Sequence, residues 1–353
     1  MNKEIPLSEF ELVVHIGTGK TGTSSVQKTL ADQGGALRQQ DAAYLGLMLE
    51  SAPQESQVYA WMVPGAGGWL TFKSLEPAVA AKQLQDALSE ALIQLKKEGF
   101  KTAIWSNESL FSDGAFIVPI LGEIYKLGAK IKVVVYIRRH DTWARSAYLQ
   151  WGIKHKTYPG PVKNFQEWNK THAINFSSGL KPWLNHDWLK LIVRNFDACP
   201  DVVSDFLAAS GLDPSRIEIR RDNETPNSVA LALWGLYNSQ FEEPVLPVEL
   251  QLLLQKSGLL GHTPVGCDFT SLLPTSEDIE RVVETAAEDR DFVNQLFAQN
   301  NQPEMPTGEL NKKDLAVSQE QINAALLMLI KYQYDRIAWL TKQVRTLKEK
   351  VGE

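Results

Sequence analysis

Four short runs in this chain are almost uninterruptedly apolar: ELVVHI at Glu11–Ile16, TAIW at Thr102–Trp105, IKVVVYI at Ile131–Ile137 and KLIV at Lys190–Val193. A strand with one face in water alternates apolar and polar residues, whereas one covered on both faces does not. These runs therefore predict buried parallel strands. Longer helical patterns lie between them, at Ser24–Gln33, Pro77–Lys97, Asp141–His155 and Val202–Ser210. Strand–helix alternation predicts an α/β fold, a central and mainly parallel sheet flanked by helices in three layers.

The 353 residues are 44% hydrophobic, enough for a sizeable core. We read residues 1–240 as the α/β core, with insertions near 51–74 and 156–187, and residues 241–353 as a helical C-terminal extension. The first insertion is rich in Gly, Pro and aromatics (MVPGAGGW) and reads as a surface excursion. The second holds Trp168, Trp183 and several Gly and Pro residues. Beyond about Asn238 the strand signal fades, and Glu277–Gln299 and Ser318–Lys350 read as helices. In the last of these Ile330, Ile337, Val344 and Val351 recur every seven residues, with Leu340 and Leu347 between them. Such an a/d-like seam is compatible with packing onto its own domain and with homo-oligomerisation through a coiled coil.

Lys and Arg number 36 against 42 Asp and Glu, a net charge of −6. The basic footprint of a nucleic-acid binder is missing, so no nucleic-acid partner is expected. An anion site here has to be a local positive patch. No run of about 20 apolar residues predicts a membrane span, and MNKEIPLSEFE has no apolar region of a signal peptide. The two cysteines, Cys199 and Cys267, form neither a disulfide framework nor a C-x-x-C pair. A reducing, cytoplasmic setting is the expectation. No His, Cys and Asp cluster has metal-ligand spacing, and no metal is expected.

The first apolar run leads through a glycine-rich turn into a helix: VVHIGTGKTGTSS, Val13–Ser25. Ser24 and Gln27 have capping-box spacing, which predicts that the helix begins right after the turn. A helix start with free N–H groups and a positive dipole end suits an anion. Three chemistries use such a turn. An ATP P-loop needs G-x-x-x-x-G-K-[ST], and with Gly19–Lys20–Thr21 as its end the first glycine position is Val14, so this loop is too short. Gly17, Gly19 and Gly22 fit the dinucleotide fingerprint, but Asp41 precedes the next apolar residues instead of following them. The third option is a loop gripping another phosphorylated donor. Lys20 supplies a point charge there, and Thr21, Thr23 and Ser24 supply hydroxyl donors.

These residues resemble a known family, the sulfotransferases that use 3′-phosphoadenosine 5′-phosphosulfate (PAPS). HIGTGKTGTSS is similar to the HIGxxKTGT element of their bacterial branch. VVVYIRRHDTWARSAYLQW (Val133–Trp151) resembles the strand–turn–helix that binds the donor's 3′-phosphate, with Arg138 and Ser146 at the matching positions. A looser likeness is VVSDFLAASGLDPSRIEIRRDNETPN, Val202–Asn227. The resemblance covers roughly residues 11–240. It departs from the pattern at Ser24, which replaces a Thr, and before Lys190, where the aromatic-glycine turn is missing. It implies a P-loop-NTPase-like fold, PAPS as donor and PAP as product. It also implies that Gly19, Lys20, Thr21, Gly22, Thr23 and Ser24 hold the donor's 5′ side, while Arg138 and Ser146 hold its 3′-phosphate.

The acceptor hydroxyl or amine needs a general base. Glu108, in SNESLF after the second strand, is the candidate, at the sheet edge where ligands of open α/β folds bind. The bland alternative is that it caps the next helix or pairs with Lys20 or Arg138. His155 is the next candidate base, and His15, inside a strand, reads as a buried, hydrogen-bonded residue. Arg139 reads as a surface ion-pair residue. Trp143, Trp151, Trp168, Trp183 and Trp188 crowd one stretch, and indoles stack on sugars, so a glycan acceptor is one reading beside a small molecule. Trp143, Ala147 and Trp151 are four apart, which equally marks the core face of a helix and is the preferred reading. The rival functions are a P-loop kinase and a non-catalytic binding module of the same fold.

Overall fold

The computed structural model describes residues 6–55, 58–220, 228–239, 241–245, 250–251, 269–306 and 317–351. Five strands, β1 (Glu11–His15), β2 (Ala42–Tyr44), β3 (Thr102–Ser106), β4 (Lys130–Ile137) and β5 (Leu189–Asn195), form one sheet in the order β2-β3-β1-β4-β5. All four pairings are parallel. The four predicted runs are thus strands flanked by helices, as an α/β three-layer sandwich requires. β2 escaped the pattern because three residues cannot display a period.

The chain divides into two compact units. The first comprises Met1–Arg139, Asn175–Asn223 and Ala286–Thr307 and contains the whole sheet. On one sheet face Val13, Ile104, Val134 and Tyr136 pack with Val26 and Leu30 of the Thr23–Asp32 helix and Phe206 and Leu207 of the Val202–Ala209 helix. The Pro77–Lys97 helix packs against the Gly114–Lys126 helix, which also meets β4. Its start is set by Pro77 at the first position and by Glu76, whose carboxylate accepts from the Ala78 and Val79 amides. Leu84, Leu88, Ala91, Leu92 and Leu95 then recur on one buried face.

The segment read as a surface excursion is partly core. Trp61, Met62 and Phe72 are buried, and Ala66–Lys73 is a helix. Its aromatic content reflects ring packing, with Trp61 edge-on to Phe72 at 5.2 Å.

The second unit comprises His140–Ile174, Glu224–Thr285 and Gly308–Glu353. The predicted Asp141–His155 helix is α-helical over His140–Ala147 and widens to a π-helix over Tyr148–Lys154. There the Tyr148 ring lies over Gly152, where a side chain would meet it at 2.4 Å, and the Tyr148 hydroxyl is held by the Leu272 carbonyl at 2.5 Å, 124 residues along the chain. The Ser228–Asn238 helix packs on this π-turn, with the Asn238 amide donating to the Ile153 carbonyl at 2.6 Å. The predicted Glu277–Gln299 helix is two: Ser276–Thr285 in this unit and Ala287–Gln299 in the first, interrupted at Ala286, where ψ is 8°. Gln319–Val351 is the last helix. Among the described residues no helix is long and apolar enough to cross a membrane.

A polar knot ties β4, β5 and the Val202–Ala209 helix together. The Tyr136 hydroxyl donates to Asp205 Oδ1 at 2.6 Å, Arg194 Nε donates to the same oxygen at 2.8 Å, and Arg194 Nη2 donates to Oδ2. Burial, reinforced by the bond to Asp205, raises the Tyr136 phenol above its usual range. The bond to Asp205 raises the Arg194 guanidinium. Asp205→Ala strands both donors at partly buried sites, a loss of about 2–3 kcal/mol that urea unfolding of the full chain will read. A change within about 0.5 kcal/mol, the range of an ordinary surface substitution, contradicts the knot's role.

Candidate functional site

Strand register brings the turn and the candidate base together. His15 pairs with Ser106 of β3 and with Val134 of β4. Counting two residues on, Gly17 stands level with Glu108 and with Tyr136. The contacts agree: the Tyr136 amide donates to the Gly17 carbonyl at 2.9 Å, and a side chain at Gly17 would meet Glu108 Cα and Cβ at 2.9 Å. Gly17 (φ 100°) is therefore required by space and by conformation. β1 connects toward β2 on one side and β4 toward β5 on the other, so the gap between their carboxyl ends is the switch point where open α/β sheets bind ligands.

The turn is braced from within. Thr18 donates through its amide and its hydroxyl to the Tyr136 carbonyl, both at 3.2 Å, and the Thr21 hydroxyl donates to the Thr18 carbonyl at 2.5 Å. Thr21 is fully buried and holds the loop's shape in this arrangement. Lys20 (φ 69°) and Gly22 (φ 78°) both adopt the left-handed conformation. At Gly22 a side chain would also meet Val202 Cγ1 at 2.6 Å. The helix begins at Thr23, with Gly22 as its N-cap and no side-chain cap. This corrects the capping-box expectation: Ser24 lies inside the helix, exposed, and Gln27 bonds elsewhere. A glycine N-cap has no side chain to occupy the amides of Thr23 and Ser24, while the Ser25 and Val26 amides donate to the Gly22 carbonyl at 3.0 and 3.2 Å. Thr23 is buried, and Gly19 and Lys20 are half-buried.

Arg138 follows β4 and reaches back to this turn. Its Nη1 donates to the Lys20 carbonyl at 3.0 Å, and its guanidinium lies 5.3 Å from the Phe196 ring centroid. A cationic side chain from the end of β4 thus bonds the backbone of the lysine in this loop, on a protein of net charge −6. The next residue, Arg139, uses its backbone amide to bond Asp197 Oδ2 at 2.7 Å. Glu108 opens a 3-10 turn capped by Asn107, and its Oε2 accepts from Gln27 Nε2 at 2.8 Å. Gln27 also donates to the Ser106 carbonyl at 3.3 Å. Gln27 was not singled out for this role in the sequence; its signal is its place one helical turn past Thr23, on the helix that starts at the rim.

Two of the other predicted residues, Ser146 and His155, belong to the second unit. Ser146 is half-buried on the His140–Ala147 helix, and His155 ends the π-turn, with Nε2 3.2 Å from Gln150 Nε2. The five tryptophans do not form one group. Trp143, Trp151 and Trp168 belong to the second unit, Trp183 and Trp188 to the first. Of the three residues read as a helix's core face, Trp143 and Ala147 are buried and Trp151 is half-buried; Trp168 and Trp183 are buried as well. Of the Val202–Asn227 likeness, Arg221–Asn227 lie outside the described residues, as does Cys267. Burial pushes the Cys199 thiol up to about 11. Among the described residues no group of His, Cys, Asp or Glu could hold a metal ion.

His15 is fully buried, as expected. Its Nδ1 lies 2.8 Å from Ser106 Oγ, its ring lies against Phe206 at 4.9 Å, and Nε2 has no partner. Burial lowers its pKa to about 3. The unfolded chain takes up this proton below about pH 6.5 and the folded chain does not, so stability is lost as pH falls from about 6.5 toward 3. The slope is about 1.4 kcal/mol per pH unit from this group alone. Urea unfolding at pH 5 and pH 7 should show a larger difference for the wild type than for His15→Gln; equal differences refute a neutral, buried His15. Comparison with protein-family models and with curated proteins finds no match to this chain.

Proposed function

We propose that the chain is a cytoplasmic PAPS-dependent sulfotransferase, moving a sulfuryl group to an acceptor hydroxyl or amine. The observation that carries this reading is the rim of the sheet. The loop after β1 carries Lys20 and a helix start with no side-chain cap, the Arg138 guanidinium reaches the Lys20 carbonyl from the end of β4, and the backbone and Cβ of Glu108 stand against Gly17. The reaction breaks the bond between sulfur and the 5′-phosphate oxygen and forms one between sulfur and the acceptor. Negative charge builds on the leaving phosphate, and the acceptor releases a proton. Fixed positive groups beside a carboxylate supply both needs. In this reading Lys20 and the amides of Thr23 and Ser24 take the charge on the 5′ side. Arg138 takes the 3′-phosphate; Ser146, which the family resemblance also assigns to that phosphate, belongs to the second unit. Glu108 takes the proton, and the Gln27 amide keeps its carboxylate in one orientation.

The first test is nucleotide preference by calorimetry. PAP should bind at least about 10²-fold more tightly than 5′-AMP, because each hydrogen bond to a charged group is worth about 1.5–3 kcal/mol. Arg138→Ala should remove most of that margin. Equal affinities for PAP and 5′-AMP in the wild type, or preference for ATP, overturn the donor assignment.

The second test concerns the base. Glu108→Gln is nearly isosteric, so PAP affinity should stay within a few-fold while turnover falls by about 10²–10⁴-fold. Turnover is measured with an acceptor found by transfer from labelled PAPS. A changed PAP affinity with little change in turnover makes Glu108 a partner of the cations instead. Unchanged values of both move the search to His155.

A further inference from the structure

The apolar stripe of the last helix continues far beyond the neighbour that covers its start. Ile322, Ala325 and Leu329 are buried, and this end of the helix packs on the Ser228–Asn238 helix of the same unit. The stripe then runs on in water. Ile330, Ile337, Leu340, Val344 and Leu347 are 64%, 61%, 45%, 51% and 60% exposed. From Ile330 to Val351 the helix runs about 33 Å, at 1.5 Å per residue. A monomer leaves this row unburied.

The composition of the row selects its occupant. With Ile330 at position a, the a sites are Ile330, Ile337, Val344 and Val351, and the d sites are Gln333, Leu340 and Leu347. β-branched residues at a with Leu at d are the combination that favours two parallel strands. A single polar d residue, Gln333, would sit opposite its own copy and fix the register, as buried polar seam positions do. Two such stripes, with the stems around them, remove on the order of 1,000 Å² from water, the lower limit for a specific interface. We propose that this helix pairs with the same helix of a second copy of the chain, as a parallel two-stranded coiled coil.

Charge separates this occupant from others. Between residues 330 and 351 six basic side chains (Lys331, Arg336, Lys342, Arg345, Lys348, Lys350) face two acidic ones (Asp335, Glu349), a net +4. Of the six, Arg336, Lys348 and Lys350 fall at the e and g positions beside the seam and the rest on the outer face, so two identical copies repel through their net positive charge and added salt strengthens a self-pair by screening. An anionic membrane or an acidic partner helix would be attracted by the same flanks, and salt would weaken it.

The test is sedimentation equilibrium of the full chain from about 1 to 100 μM, at low and high salt. The expected result is a monomer–dimer equilibrium whose Kd falls several-fold as salt rises. Ile337→Glu with Leu340→Glu should raise Kd at least about 10²-fold at unchanged far-UV circular dichroism. Lys342→Glu, off the seam, should leave the dimer intact. Val344→Cys should crosslink under mild oxidant, because a parallel pair sets residue 344 against its copy; the wild type under the same oxidant is the control. A monomer at 100 μM, a dimer indifferent to the seam variant, a larger oligomer, or a dimer without the Val344→Cys crosslink each overturn the proposal. So does a monomer that binds vesicles of anionic lipid at low salt.

Discussion

Hydrogen bonding of β1 on both edges is the constraint on which the rim depends. β1 lies between β3 and β4, and its ladder continues past the strand's end through the Tyr136 amide to the Gly17 carbonyl. Because parallel strands share one direction, their carboxyl ends arrive at one edge together. The turn after β1, the 3-10 turn after β3 and the arginine after β4 are therefore level with each other. No loop needs to travel for Lys20, Glu108 and Arg138 to converge. The penalty for shifting any of them is the penalty for slipping a buried strand, which would move its whole apolar set.

The rim also shows how an acidic chain can offer an anion site. The positive groups are two side chains and a helix start, brought together at one loop, while the chain as a whole has a net charge of −6. At physiological ionic strength charges farther than about 8 Å are screened. Local arrangement thus outweighs the overall charge. The same principle applies to the last helix, whose basic flanks are a separate patch with a separate consequence. Below the rim, the aromatic and polar groups on β4 and β5 close the core. Tyr136 lies between the turn, through its backbone, and the Asp205–Arg194 pair, through its side chain, so one residue connects loop geometry with core integrity.

What the sequence determined by itself was whatever a short window of chain can decide. Continuous apolar runs made four buried strands, since a strand covered on both faces has no polar side to show. Pro77 and the leucine pattern after it set both ends of one long helix at the predicted residues. The glycine turn was legible because its unusual backbone needs glycine at Gly17 and Gly22, and His15 was legible as a buried residue because it interrupts a strand. Tertiary structure decided the rest. The helix cap went to Gly22 and not Ser24, and Val202 of a distant helix packs where a side chain at Gly22 would be. At the π-turn the Tyr148 ring lies over Gly152, and its hydroxyl is held by the Leu272 carbonyl 124 residues along the chain. Gln27 met Glu108 across 81 residues, and Arg138 met the Lys20 carbonyl across 118. The tryptophans that crowd the sequence were divided between two units by the path of the chain. Local pattern carries propensity and burial, which depend on near neighbours. Which distant groups touch depends on strand order and register, and those are set only when the whole sheet assembles.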